Sequence, residues 1–200
     1  MSSLSQQSVI VDQEPVTFEG PPPADIQQLY QLIDQALTGA GRLITAIEID
    51  GEDAYANPAR LNVPKYNSVN ITSSEWQPVC QKSIQQQLPA AEEAANSLIA
   101  YGSAMLAVPL AHSLSEVNTA ADKMGALIAP IETAHQFAAQ FAPEWADACE
   151  EIYQSANDAC ETFTDALKTQ DVGIAAESLV VSLPDALKAL KTLTETPWNA

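Results

Sequence analysis

The apolar residues of this 200-residue chain change their spacing once, at about Ser74, and that change limits the folds available to it. Before it, short runs alternate apolar and polar residues with the period of two that a half-buried strand requires. After it, apolar residues recur at three and four, the spacing of one helix face. A chain patterned in this way is neither a uniform sheet nor a uniform bundle. It places a small α/β region ahead of a helical one.

Within the first region, Ser8-Val9-Ile10-Val11 is one strand run and Pro15-Val16-Thr17-Phe18-Glu19 a second, with Val16 and Phe18 on one face. Asp12-Gln13-Glu14 is the expected hairpin turn between them. Gly20 and three prolines then interrupt the pattern. Residues 24–37 set Ile26, Leu29, Tyr30, Ile33, Ala36 and Leu37 at helical spacing, with Gly39 and Gly41 ending that helix. Residues 43–49 read as a third strand stopped by the turn dipeptide Asp50-Gly51, and residues 66–72 as a fourth. The order strand, strand, helix, strand, strand over residues 8–72 resembles the β-grasp arrangement of ubiquitin-like domains.

From Ser74 onward alanine becomes frequent and glycine rare. The spacing predicts helices at about 77–107, 110–141, 143–169 and 172–195, separated at Pro109, Pro143 and Asp171-Val172-Gly173. Pro89, Pro130 and Pro184 fall inside these patterns and are expected to kink or divide them. Four helices with short connections form an antiparallel up-down bundle. The expected fold is therefore α+β and predominantly α. It comprises a disordered tail at 1–7, a small β-grasp-like unit at 8–73, an acidic helical bundle at 74–196 and a tail at 197–200.

One motif invites a chemical reading. Asp-Ala-Cys-Glu occurs twice, at 147–150 and 158–161, 11 residues apart. With Ile152 at zero on a helix of about 100° per residue, Trp145, Cys149, Ala156, Cys160, Phe163 and Leu167 lie between about +20° and +80°. Ala148, Ala159 and Ala166 extend this apolar stripe, whereas Asp147, Glu150, Asp158, Glu161 and Asp165 cluster on the opposite side. An 11-residue step drifts by only about 20°, so the repeat returns to the same two faces. Thiols and carboxylates that point apart cannot converge on one ion. The repeat builds a core stripe and a solvated acidic face, and that face is the candidate surface for a partner.

Charge and cysteine usage narrow the function further. Lys and Arg number 8 against 26 Asp and Glu, a formal net charge of −18, and the cations are scattered along the chain. Such a field repels phosphate backbones and anionic lipid, so neither nucleic acid nor a membrane is an expected partner. The apolar stretch 98–110 is too short to span a bilayer and is interrupted by Gly102 and Pro109. Cys80, Cys149 and Cys160 are an odd set without metal-ligand spacing, and no secretory leader opens the chain, which suits free thiols in the cytoplasm.

Other chemistry finds few residues to rest on. Glu132 precedes His135 by three, half of the Glu-x-x-His pairing of carboxylate-bridged bundles, with no second half in the chain. Ala111-His112-Ser113-Leu114 resembles the phosphorylated segment of histidine-phosphotransfer domains. There the family continues with Lys and Gly; here Ser115 and Glu116 replace them, and Glu116 would repel a phosphoryl group. No nucleophile elbow or glycine-rich phosphate loop occurs. Trp76 is expected to pack where the strands give way to helices, Trp198 lies in the last segment, and Leu179-Val180-Val181-Ser182-Leu183 is apolar around most of its circumference.

These readings assign no catalytic, cofactor-binding or metal-ligating residue. They lead to a non-catalytic cytoplasmic interaction module, an adaptor or a chaperone-like protein of the kind that shields exported clients in secretion or motility systems. It would bind a protein partner through helix faces or the sheet edge. Asp147, Glu150, Asp158, Glu161 and Asp165 form the candidate face, which favours a basic partner. The alternatives are an acidic mimic that occupies a basic nucleic-acid-binding protein, and an enzyme or phosphotransfer protein with an unrecognised site.

Overall fold

A computed structural model of the chain describes residues 7–107 and 116–195. Residues 1–6 of the tail expected at 1–7, the tail expected at 197–200 with Trp198, Pro109, His112 and residues 110–115 of the second expected helix lie outside the described residues. The chain divides into two compact units, Met1–Pro78 and Val79–Ala200.

The first unit is a five-stranded sheet of order β2-β1-β5-β3-β4, with strands β1 (Ser8–Val11), β2 (Glu14–Pro15), β3 (Arg42–Ile49), β4 (Glu52–Asp53) and β5 (Ser68–Glu75). Helix α1 (Ile26–Gly39) and a 3-10 turn (Pro58–Asn62) complete it. Strands β1 and β5 pair in parallel, with Val9 opposite Val69 and Val11 opposite Ile71. Every other pairing is antiparallel. A central parallel pair flanked by two hairpins is the β-grasp-like arrangement that the element order implied. Val9, Ile47, Ile49, Val69 and Ile71 face the buried side of the sheet, and Ile26, Leu29 and Ile33 of α1 pack into the same cluster.

Both hairpins turn in two residues with positive φ. Asp50 and Gly51 have φ 52° and 82°, and Asp12 and Gln13 have 50° and 70°. This is the turn geometry whose twist matches paired strands. The first turn lacks glycine, so two side-chain-bearing residues sit in a disfavoured region. Hydrogen bonds offset that cost. The Asp12 carboxylate accepts from the Ser73 backbone N–H (2.7 Å) and hydroxyl (2.6 Å), while Arg42 donates from Nε to Ser73 Oγ (2.7 Å) and from Nη2 to Asp12 (3.2 Å). These bonds hold the Asp12 carboxyl below the usual range, the Ser73 donors contributing most.

Several expected boundaries shift. Strand β2 stops at Pro15, and Val16 and Phe18 continue as a half-buried segment against the core. Strand β5 runs on to Glu75, with a bulge between Ile44 and Ala46 in its pairing with β3. Trp76 is buried as expected, its ring 3.7 Å from where a Cβ on Gly41 would stand.

Helix α2 (Trp76–Ala107) leads into the second unit, followed by α3 (Val117–Phe141), α4 (Ala146–Thr169), α5 (Val172–Glu177) and α6 (Leu183–Glu195). Gln87 bonds Thr133 and Glu93 pairs with Lys123, so α2 and α3 run antiparallel. Glu92 pairs with Lys191 while Gly102 meets residues 176–180, so α2 and α6 do as well. Helix α3 closes at Ala142 in the left-handed conformation (φ 44°), and Pro143 follows. The helices continue through Pro89 and Pro130.

The expectation of one helix over 172–195 is corrected. Residues Ser178–Ser182 form a π-helical stretch between α5 and α6. Its wider turn buries Ser178 and Leu179 and leaves Val181 48% exposed, so the run is two-faced rather than buried all round. Helix α2 approaches this stretch at Gly102, where a Cβ would lie 2.8 Å from Val180 Cγ2, 3.2 Å from Leu179 Cβ and 3.3 Å from the Ala176 carbonyl oxygen. Only glycine fits there.

Two glycines in helices should therefore respond in opposite directions. Gly125, in α3, faces open space, so Gly125→Ala should stabilise by about 1 kcal/mol through helix propensity. Gly102→Ala gains the same propensity but overpacks a closed contact, and should destabilise by roughly 1–3 kcal/mol. Urea unfolding of both variants checks the sign.

Candidate functional site

Helix α4 has the two faces read from its repeat. Cys149, Ala156, Ala159, Phe163 and Ala166 are buried. Asp147, Glu150, Asp158, Glu161 and Asp165 are all exposed. Ala148, placed on the stripe by its angle, is exposed at the start of the helix, and Cys160 and Leu167 are half-buried. Burial keeps the thiols protonated: it pushes Cys80 up to about 12 and Cys149 and Cys160 to about 11. All three are free. They pack as small apolar groups, and their chemistry is suppressed.

The acidic face is not uniform. Two of its carboxylates are tied down within the molecule. Glu150 Oε2 lies 2.6 Å from His135 Nε2 of α3, and Gln154 Nε2 donates to Glu150 Oε1 at 2.7 Å. The His135 ring stacks on Tyr153, with centroids 4.0 Å apart and planes within 5°. At the C-terminal end, Lys168 bonds Asp165 at 2.8 Å. Asp147, Asp158 and Glu161 carry no hydrogen bond or ion pair among the described residues.

Beside this face runs an open groove of about 520 Å³ between α4 and the π-helical stretch. Glu150, Glu151 and Asp158 supply charge along it, and Ser155, Thr162 and Ser178 supply hydroxyls. The Ser178 hydroxyl is buried and donates to the Ile174 carbonyl at 3.1 Å. Such a groove offers carboxylate and hydroxyl acceptors to a cationic side chain. Among the described residues, no group of three or more His, Cys, Asp or Glu is placed to hold a metal. No helix among them is long and apolar enough to cross a membrane.

The His135 clasp was partly hidden in the sequence. Glu132 drew attention to His135, but Glu132 is exposed and the partner is Glu150, across the loop. A helical hairpin folded at residues 142–145 sets His135 opposite the turn containing Glu150 and Tyr153, which a mirror reading about that loop would have found. The serines of the π-helical stretch had no such signal, because an α-helical period places them elsewhere. His112, the residue of the phosphotransfer resemblance, lies outside the described residues.

No family model, curated protein or solved structure matches this chain. The geometry stands alone as the basis for a functional reading.

The clasp carries a pH signature. Hydrogen bonds from Gln154 first and His135 second hold the Glu150 carboxyl below its ordinary value of 4.5. A lowered carboxylate stabilises the fold above the unfolded value, and that contribution is lost as pH falls through the folded value. Glu150→Gln should therefore melt below the wild type at neutral pH. The gap should close as the pH drops beneath the ordinary glutamate range. Melting curves of both proteins from neutral to acid pH check this.

Proposed function

We propose that this protein is a non-catalytic cytoplasmic interaction module that engages a basic protein surface through the acidic face of α4. One observation carries the reading: Asp147, Asp158 and Glu161 share an exposed face and have no partner among the described residues, while Glu150 and Asp165 of the same face are held by His135, Gln154 and Lys168. Exposed like charges on one face repel, and a cationic partner relieves that repulsion while steering its own approach. The adjoining groove between α4 and the π-helical stretch gives a lysine or arginine from the partner somewhere to lie. Three free thiols suit a reducing compartment.

The sheet edge is the weaker of the two surfaces expected to bind. Both outer strands are two residues long, and β2 contains Pro15. Along the open part of β3, the bulge at Thr45 and a bond from the Tyr55 hydroxyl to the Ile44 carbonyl (3.3 Å) interrupt the edge. These are the features by which proteins discourage strand addition. An adaptor that works through a helix face is thus favoured over one that extends its sheet.

The test is charge reversal at the three unpartnered positions. The triple variant Asp147→Lys, Asp158→Lys, Glu161→Lys should keep the wild-type melting temperature within a few degrees, because surface changes cost about 0.5 kcal/mol or less each. It should lose the proteins that wild type retains from its own cells at low salt. Retention by wild type should fall steeply with added sodium chloride. Undiminished retention by the variant would refute the face. Release of the captured partner by competing nucleic acid would favour the mimic reading instead.

A further inference from the structure

One cavity in this acidic chain has no carboxylate in its lining. It lies in the first unit and measures about 720 Å³, within the range that holds a small organic ligand. Its walls come from the segment after β2, with Val16, Phe18 and Pro22, and from the residues that lead into β5, with the buried Tyr66. The Tyr66 hydroxyl is already committed, donating to the Pro23 carbonyl at 2.6 Å, so the wall is fixed and presents its ring rather than its oxygen. Thr17 and Lys65, both exposed, also line it.

Lys65 is unusual among the cations. Arg42, Arg60, Lys123, Lys168 and Lys191 are each paired with a carboxylate. Lys65, Lys82 and Lys188 are not, among the described residues. Lys82 is exposed on α2, and Lys188 opens on a groove that also contains Glu92 and Glu195. Lys65 stands over a cavity with no Asp or Glu in its lining, although Glu19 and Asp25 flank that lining in sequence. In a chain of net charge −18, a cation unpaired among the described residues and standing beside Val16, Phe18 and Pro22 offers a negative ligand an ion pair and an apolar contact together.

We infer that this cavity binds a small organic anion with a flat apolar body, of the aryl carboxylate class. The ring lies between Phe18, Pro22 and Tyr66, and the carboxylate accepts from Lys65 and Thr17. The site is independent of the acidic face of α4.

Amide chemical shifts of the full-length isotope-labelled protein, titrated with naphthalene-2-carboxylate, test the inference. Saturable shifts at residues 16–24 and 65–67 are expected. Naphthalen-2-ylmethanamine, of the same shape and opposite charge, and inorganic phosphate, a bare anion, should produce none that saturate there. Lys65→Glu should weaken the carboxylate at least about tenfold, and Lys65→Arg should keep it within about twofold. Neither change should unfold an exposed, unpaired position. Equal binding of the amine, saturation by phosphate alone, undiminished binding by Lys65→Glu, or no saturable shift with the carboxylate would each overturn the assignment.

Discussion

The burial of one stripe of α4 sets the character of the second unit. Phe163 alone contributes on the order of 2–3 kcal/mol when its ring leaves water. Cys149, Ala156, Ala159 and Ala166 continue the stripe with small side chains. A helix that turns this stripe inward must turn Asp147, Asp158 and Glu161 outward, since they lie on the opposite side of the same cylinder. The acidic face is in this sense a by-product of core packing. What makes it a candidate surface is that Glu150 and Asp165 have bonding partners, whereas Asp147, Asp158 and Glu161 have none among the described residues. Helix α3 brings His135 to Glu150, and α4 itself brings Lys168 to Asp165. The π-helical stretch then places serines rather than charges along the neighbouring groove.

The first unit solves a different problem. Its central pair joins β1 to β5 in parallel across some 60 residues of intervening chain, and a parallel pair needs a crossover to return the chain to the same end of the sheet. Helix α1 and β3 provide it. The hairpins at either side each use two residues in the left-handed region, and only the second has a glycine. The first is held instead by Asp12, Ser73 and Arg42, which tie the turn to the far ends of β5 and β3. Strain at the turn and polar bonding across three strands are thus parts of one arrangement.

How much of this was legible depends on the range of the interaction. The fold class and the faces of α4 follow from spacing of two or 3.6 residues, which is local, and these readings stand; the expected element order lacks β4, a strand of two residues too short to show a period. The asymmetry of the acidic face did not follow from the helix, because His135 belongs to another element and meets Glu150 only after the loop at 142–145 folds. The cluster at Asp12 escaped notice for the same reason: Arg42 and Ser73 are 30 and 61 residues away along the chain. The π-helical stretch was misread as ordinary helix. Its extra residue per turn changes which side of Leu179–Leu183 is buried, and nothing in five apolar and small residues marks that change. Gly102 was read as an interruption of an apolar run, yet its role is to admit Val180 and Leu179.

Thiol reactivity tests the two faces of α4 most directly, because only a thiolate reacts and a buried thiol forms one only when the structure opens. Cys149 is fully buried, and its thiol is pushed up to about 11. Position 161 is exposed on the other side of the same helix. In native protein carrying Glu161→Cys, alkylation by iodoacetamide, mapped by peptide mass, should label residue 161 orders of magnitude faster than residue 149. Addition of denaturant should bring the two rates together. Comparable labelling of both residues in the native protein would contradict the division of faces on which the proposed binding surface depends.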